Sequence, residues 1–437
     1  MVKEGSVGQA HMAFSILEQT SGLITASVKV SSHLINKIYR NSLIAYSHKI
    51  KPKGFSQGKT PVSYIEQNFK NTIVEQLKSF VFWYPVISYL YKELRKEKII
   101  ISGDPRLKEI KLDTENGAEY IFEFTPIEAF EIDEWKYLPF KSPKRKRYKD
   151  LDKQATNFIE EEDKNKQNHS NNSLNVGCWV CFDLCLVDED QNPVTENIKE
   201  NLWLKIGYEE ASIPFQHVFL GKNLGDKFYS NALCLHEYFN DEIDPCYSFL
   251  IEVQDILYND FFSMDDFKEH FGIKTNKKAH QKIIEVFSFR NDISLRRAIV
   301  EEAFNLMFTK FPVRPPEATV LRQQQKILQD LQHNPDYAVY KLQRGFQDKV
   351  YKLARKQIRE AILIDYLAYK ENMEVTHRDT ATYLNLTKRP RTKEFLFFRH
   401  PIIQANDQEM PISSEVLKQY CLREKMLNFI LDQWNKY

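Results

Sequence analysis

KPKGFSQGKTP, residues 51–61, combines features that an ordinary connection between helices does not need together. Gly54 and Gly58 permit positive φ and leave the backbone uncovered. Phe55 sits among polar neighbours with no periodic apolar partner, and Lys51, Lys53 and Lys59 surround it with positive charge. The stretch therefore reads as an exposed loop carrying one apolar anchor in a basic collar. Before it, Ser31 or Ser32 is placed to cap a helix running to His48, with Ile35, Ile38, Tyr39 and Tyr46 on neighbouring turns. After it, a helix is predicted to start at Thr60 with Pro61 in its first turn. There Ile65, Phe69, Ile73, Leu77 and Phe80 recur every three or four residues, and Pro85 is expected to kink or end the run.

Moving outward, residues 23–30 (LITASVKV) have the β-branched content of a strand, and residues 110–112 pair with 120–124 across the turn residues Glu115, Asn116 and Gly117. Strand, helix, loop, helix, hairpin is a compact α+β unit. The loop resembles the signature of bacterial trigger factor, a ribosome-docking chaperone whose pattern is GFRxGKxP. The matching residues are Gly54, Phe55, Gly58, Lys59 and Pro61, while the family's arginine is Ser56 and the position after it is Gln57. The resemblance implies that these five residues form a ribosome-binding site. It further implies a multidomain α+β fold: an α+β ribosome-docking domain at residues 1–128, a charged linker at 129–173, an FKBP-like domain at 174–258, and an all-α arm domain at 259–437.

The composition between the docking domain and the FKBP-like stretch changes sharply, from KSPKRKRYKDLDK to FIEEEDKNKQNHSNNS. A nucleic-acid patch at residues 144–147 is one reading. A solvated linker whose basic and acidic blocks cancel is preferred, because the chain carries 61 basic and 60 acidic residues and a net charge of only +1. Beyond it, apolar or alternating runs at residues 178–187, 203–206, 227–235 and 247–256 point to a small β-rich domain. IPFQHVFLGKNLGDKF, residues 213–228, resembles the IPGFE…GxxxG segment of the FKBP-like insert, with Gly221 and Gly225 kept. The family's glycine between Pro214 and Phe215 is missing and its glutamate is Gln216. The resemblance makes Phe182, Phe215 and Phe249 the walls of a prolyl-isomerase pocket with Ile213 beneath the substrate proline; from the residues alone, the aromatics read equally well as core. The reversed order at Phe182 and Asp183 and the lost glycines imply weak or absent turnover.

From Ser263 the pattern turns helical. Pro315 and Pro316 start a helix with Leu321, Leu328 and Leu331 on one face. A second carries Val350, Leu353, Ala354, Ile358, Ala361 and Ile362, and a last one Leu427, Ile430, Leu431 and Trp434. Residues 385–411, with three prolines and FLFF at 395–398, fit no element. In the family such helices are arms that cradle unfolded chains, yet an apolar stripe at helical spacing is more often a core face.

The most apolar run, residues 80–91, is too short for a membrane span, and the N-terminus lacks a secretory apolar region, so a cytoplasmic protein without membrane partner is expected. Six cysteines in 437 residues do not form a disulfide scaffold. CxxCxxxC at Cys178, Cys181 and Cys185, with Cys234 and His236, invites a metal site, but alternate strand residues point to opposite faces. No metal and no cofactor is expected, and no phosphate-loop or hydrolase motif occurs. The resemblance implies an ATP-independent chaperone. Its partners would be the ribosome, through a large-subunit protein and ribosomal RNA near the exit tunnel, and nascent or unfolded polypeptides, with no DNA; monomer and homodimer stay open. A folding enzyme whose main work is peptidyl-prolyl isomerisation and a ribosome-independent holdase are the two other readings.

Overall fold

A computed structural model describes residues 11–434 except 21, 57, 98, 104, 128–129, 146–148, 169–172, 188–190, 192, 194–198, 209–212, 240–247, 333, 401, 403, 406–407 and 413. Gln57 of the loop and Lys146 and Arg147 of the basic run thus lie outside the described residues. The architecture is α+β, and the chain divides into two compact units. One comprises Met1–Pro126, Asn172–Ile256 and Ile402–Glu415, the other Ile127–Asn171, Leu257–Pro401 and Val416–Tyr437.

The first unit starts with strands β1 (Met12–Thr20) and β2 (Leu23–Val30), followed by helices α1 (Ser32–Lys49), α2 (Val62–Val81) and α3 (Ile87–Lys96), then strands β3 (Arg106–Asp113) and β4 (Gly117–Phe124). The four strands form an antiparallel sheet in the order β1-β2-β4-β3. Ile24, Ala26, Val28 and Val30 alternate onto its buried face, where they meet Tyr120, Phe122 and Phe124 of β4. On the helices, Ile35, Ile38, Ile65, Ile73, Leu77 and Phe80 are buried, and each such side chain contributes roughly 2 kcal/mol. Ser31 is the cap of α1, accepting from Leu34 N at 3.4 Å. Pro85 does not end the helical run: residues Phe82–Val86 form a π turn, which relieves the clash of the proline ring and hands the chain directly to α3. Strand β1 had no strand reading in the sequence; it is an edge strand with most side chains exposed, so little alternation marks it.

The charged stretch expected to be a solvated linker contains helix α4 (Lys149–Asn168), which belongs to the second unit. Ala155 and Glu162 of α4 are buried, and Phe158 packs on Phe262 and Phe287. Glu162 is fully committed: Arg389 Nε donates to it at 3.0 Å and Phe262 N donates to its other oxygen. A polar composition thus hides a helix with a narrow buried stripe.

The β-rich stretch contains β5 (Trp179–Val187), β6 (Lys199–Lys205), helix α5 (Ile213–Phe219), β7 (Lys227–Ser230), helix α6 (Leu233–Phe239) and β8 (Ser248–Leu257). Its sheet runs β6-β5-β8-β7. The run expected as strand to residue 235 leaves the sheet after Ser230 and turns into α6. Ile412 joins the edge of this sheet through two backbone hydrogen bonds with Trp203, at 3.1 and 2.7 Å.

The second unit is helical. After α4 come α7 (Met264–His270), α8 (Asn276–Phe287), a two-residue hairpin β9 (Phe289–Arg290) and β10 (Ile293–Ser294), α9 (Leu295–Lys310), α10 (Glu317–Gln332), α11 (Tyr337–Tyr340), α12 (Phe346–Lys370) and α13 (His377–Thr387). A second hairpin, β11 (Gln404–Ala405) and β12 (Gln408–Glu409), precedes the final helix α14 (Ser414–Trp434). Residues 385–411 thus complete α13, form a 3-10 turn at Thr392–Phe395 and supply this hairpin. The unit's core joins Val300, Phe304, Leu363, Leu367, Leu427 and Ile430. Trp434 anchors it by donating from Nε1 to Trp135 O at 2.8 Å.

Candidate functional site

The loop between α1 and α2 is built from two consecutive tight turns, Phe55 N to Pro52 O and Lys59 N to Ser56 O, each 3.1 Å. Gly54 and Gly58 adopt φ of +99° and +74°, and a Cβ at either would meet nothing within 4 Å. The glycines are therefore required by conformation and not by crowding. Below the turns the loop is fastened by Thr60, which is buried and whose hydroxyl donates to Ile50 O at 3.5 Å. Helix α2 begins at Val62, and Pro61 is its cap residue with extended backbone, one position outside the first turn where it was expected.

Lys51, Lys53 and Lys59 are exposed, and none has an acidic partner among the described residues. Phe55 is half-buried, where the sequence predicts a free anchor: its ring packs on Tyr64 with centroids 4.9 Å apart. Tyr64 was missed as a loop residue. Its signal is an aromatic in the first turn of α2, off the stripe marked by Ile65 and Ile73. The pair presents a small aromatic surface beside three unpaired ammonium groups, which suits an apolar or base-stacking contact flanked by phosphates. The expected ribosome-binding residues Gly54, Phe55, Gly58, Lys59 and Pro61 are thus brought together in one exposed loop.

The four expected isomerase residues are not equivalent. Phe182, Phe215 and Phe249 are 0–2% exposed, whereas Ile213 is 40% exposed at the first position of α5. Phe182 packs on Phe219 at 4.7 Å, and Phe249 on His236 at 4.9 Å. Asp183, which follows Phe182, is turned to hydrogen bonds: its carboxylate accepts from Asn201 N at 2.6 Å and from Gln254 at 2.8 Å. Burial raises its pKa above the usual carboxylate value despite those donors. Cys178, Cys181, Cys185 and Cys234 are buried thiols, and burial raises the pKa of Cys181, of Cys185 and of Cys234, the last to about 11. Among the described residues, no three His, Cys, Asp or Glu side chains stand close enough to share a metal ion.

In the helical unit, α10 and α12 form a packed helix pair tied by Gln323 to Gln357 at 2.9 Å and by Tyr351 to Glu317 at 3.0 Å. The segment between them carries Val339 and Leu342, which are 63% and 82% exposed. No described helix is long and apolar enough to cross a membrane.

An α+β domain with an exposed, lysine-flanked glycine–phenylalanine loop at its helix–helix turn defines the class, and residues 12–158 match the family model of the bacterial trigger factor protein (TF). The trigger factor of Campylobacter jejuni subsp. jejuni serotype O:2 is 28% identical over 211 residues, 46% of this chain and 45% of that one. The trigger factor of Geotalea daltonii is 22% identical over 339 residues, 74% of this chain and 76% of that one. A solved structure described as concerning promiscuous substrate recognition in folding and assembly activities of the trigger factor chaperone is 13% identical, covers 97% of this chain and all of that one, and has a TM-score of 0.37. The match spans about half the length of the first curated relatives. The chain is thus similar to the bacterial trigger factors, most specifically over residues 12–158.

Proposed function

We propose that the chain is an ATP-independent chaperone that docks at the ribosome through the loop of residues 51–61 and shields nascent or unfolded polypeptides with its helical domain. The observation that carries this reading is the loop itself: an aromatic pair, Phe55 on Tyr64, beside three exposed and unpaired lysines, held out by two glycines with positive φ, within the stretch that matches the family model. Lysines neutralise phosphates as point charges, and the missing arginine fork at Ser56 lowers affinity without removing the site. The partners on this reading are a large-subunit protein and ribosomal RNA near the exit tunnel, in the cytoplasm. The functional division at residues 1–128, 129–173, 174–258 and 259–437 belongs to the same proposal. So does a prolyl-isomerase domain of weak or no turnover, which is supported by the burial of Phe182, Phe215 and Phe249.

Co-sedimentation with bacterial ribosomes over a salt series tests the docking. The expected result is salt-sensitive binding that Phe55→Ala and Lys59→Ala each weaken at least tenfold. Lys59→Ala should also lower the salt slope by roughly one unit, the loss of one phosphate contact, and Ser56→Arg should strengthen binding. No binding at low salt would refute docking and leave the ribosome-independent holdase, which Ser56 and the half-buried Phe55 favour.

A further inference from the structure

From Glu317 to Lys370, the stretch that forms α10, α11 and α12, ten basic residues stand against six acidic ones, in a chain whose net charge is +1. Two of the six acids, Glu360 and Asp365, are buried, so the positive surplus at the surface is larger still. The basic residues are not spread evenly. Lys349, Lys352, Arg355, Lys356 and Arg359 all lie in the first half of α12. At 3.6 residues per turn they share one face, within an arc of roughly 120° and over a length of about 15 Å. Lys349, Lys352 and Arg355 are exposed and have no acidic partner among the described residues. Lys356 Nζ stands 3.8 Å from Glu301 and 3.8 Å from Glu360, too far for a hydrogen bond, and Arg359 lies over the Phe308 ring at 4.1 Å.

Like charges three and four positions apart oppose a helix. Helix α12 keeps its place through Val350 and Ala354, which are buried on the side opposite the stripe. Aliphatic side chains stand at the edges of the charged face. Leu353 is 44% exposed, one turn beyond Lys349, and Val339 and Leu342 are exposed in the segment that leads into the helix. That segment adjoins the stripe, since Lys349 Nζ reaches back to Gln343 Oε1 at 3.4 Å. The surface is complementary to a partner that brings carboxylates and aliphatic side chains together. Single-stranded RNA would satisfy the charges, but it binds through aromatic stacking, and Val339 and Leu342 have no π face. An anionic bilayer takes up an apolar helix face, and that face of α12 is already buried.

We infer that the basic stripe of α12, with Val339, Leu342 and Leu353 beside it, receives unfolded polypeptide segments in which acidic and aliphatic residues alternate. About five residues of an extended chain span the stripe. Their carboxylates meet Lys349, Lys352 and Arg355, and their aliphatic side chains cover the leucines and the valine. The inference names the client class of the helical domain and so rests on the reading that this domain holds unfolded chains. It does not depend on ribosome docking.

Calorimetric titration of the full chain with four synthetic peptides of one length tests it: repeats of Leu-Glu-Val-Asp, of Leu-Lys-Val-Lys, of Leu-Ser-Val-Gln and of Ser-Glu-Gly-Asp. The Leu-Glu-Val-Asp repeat is expected to bind at least tenfold tighter than the Leu-Lys-Val-Lys repeat and severalfold tighter than the other two, with a preference that added salt reduces. Lys349→Gln, Lys352→Gln and Arg355→Gln together should erase that preference, yet leave the melting temperature and the binding of the Leu-Ser-Val-Gln repeat unchanged. Equal binding of the acidic and basic repeats, or an undiminished preference in the triple variant, would overturn the inference; binding of the neutral repeat would then show that client holding itself stands. No binding of any peptide would overturn both. Oligouridylate or phosphatidylglycerol vesicles bound tighter than every peptide, and released by the triple substitution, would overturn it in favour of that partner.

Discussion

Gly117 shows what a single position has to satisfy in the N-terminal domain. It closes the β3–β4 turn at φ +98°, and a Cβ there would stand 2.4 Å from Val30 O and 3.0 Å from Ser32 N, both rigid backbone. The turn is otherwise set by Asp113, whose carboxylate accepts from Glu115 N at 3.0 Å and from the Asn116 amide. Gly117→Ala combines a strained φ with a clash that no side chain can yield to, and should cost roughly 2–4 kcal/mol. Urea denaturation measures it, and a loss below about 1 kcal/mol would show that the turn relaxes at little cost. Gly54 and Gly58 have the same backbone hand but open space around them, so alanine there should perturb the loop's shape while leaving the domain folded.

Among the elements, α12 has the clearest pH signature. Glu360, with its side chain 4% exposed, sits 3.8 Å from Lys356 Nζ, and its Oε1 makes no hydrogen bond. Burial pushes its pKa up to about 7, against the smaller opposing pull of Lys356. The folded state therefore holds the proton more tightly than the unfolded chain, for which the value is near 4.5. The sign follows: stability is lost as pH rises from about 4.5 through 7, and the full penalty, on the order of 3 kcal/mol, applies above 7. Glu360→Gln should thus stabilise the protein above pH 7 and give no gain below 4.5. Melting temperatures of both proteins from pH 4 to 8 check this, and a constant difference across that range would exclude the buried carboxylate as its cause. Elsewhere on α12, Asp365 accepts from Nε and Nη2 of Arg423 at 2.8 and 2.7 Å, a fork that joins α12 to α14.

At the scale of the molecule, the proposed division of labour assigns docking to one loop and client holding to the α10–α12 pair, with the second sheet acting mainly as structure. Val339 and Leu342 between the two helices are too exposed to support the core, so Val339→Asp with Leu342→Asp should leave the melting temperature unchanged. The double variant should lower suppression of client aggregation severalfold, while a proline-peptide assay should show negligible turnover in the parent chain. Strong turnover abolished by Phe215→Ala, or undiminished suppression in the double variant, would reassign these roles.

The sequence by itself determined the local chemistry: the glycine–phenylalanine–lysine loop, strand β2, the β3–β4 hairpin at Gly117, a serine cap on α1 at position 31 or 32 and the proline-led start of α10. Each depends on residues within a few positions, where φ restrictions, capping side chains and periodicity act directly. Only the tertiary structure decided that Phe55 leans on Tyr64, that a charged stretch is a helix held by Glu162 and Arg389, that Ile412 extends the sheet at Trp203, and that Arg296 is buried against Asn428. All but the first join residues more than a hundred positions apart. Their partners are selected by packing and by the need to satisfy buried polar groups, which no local pattern records.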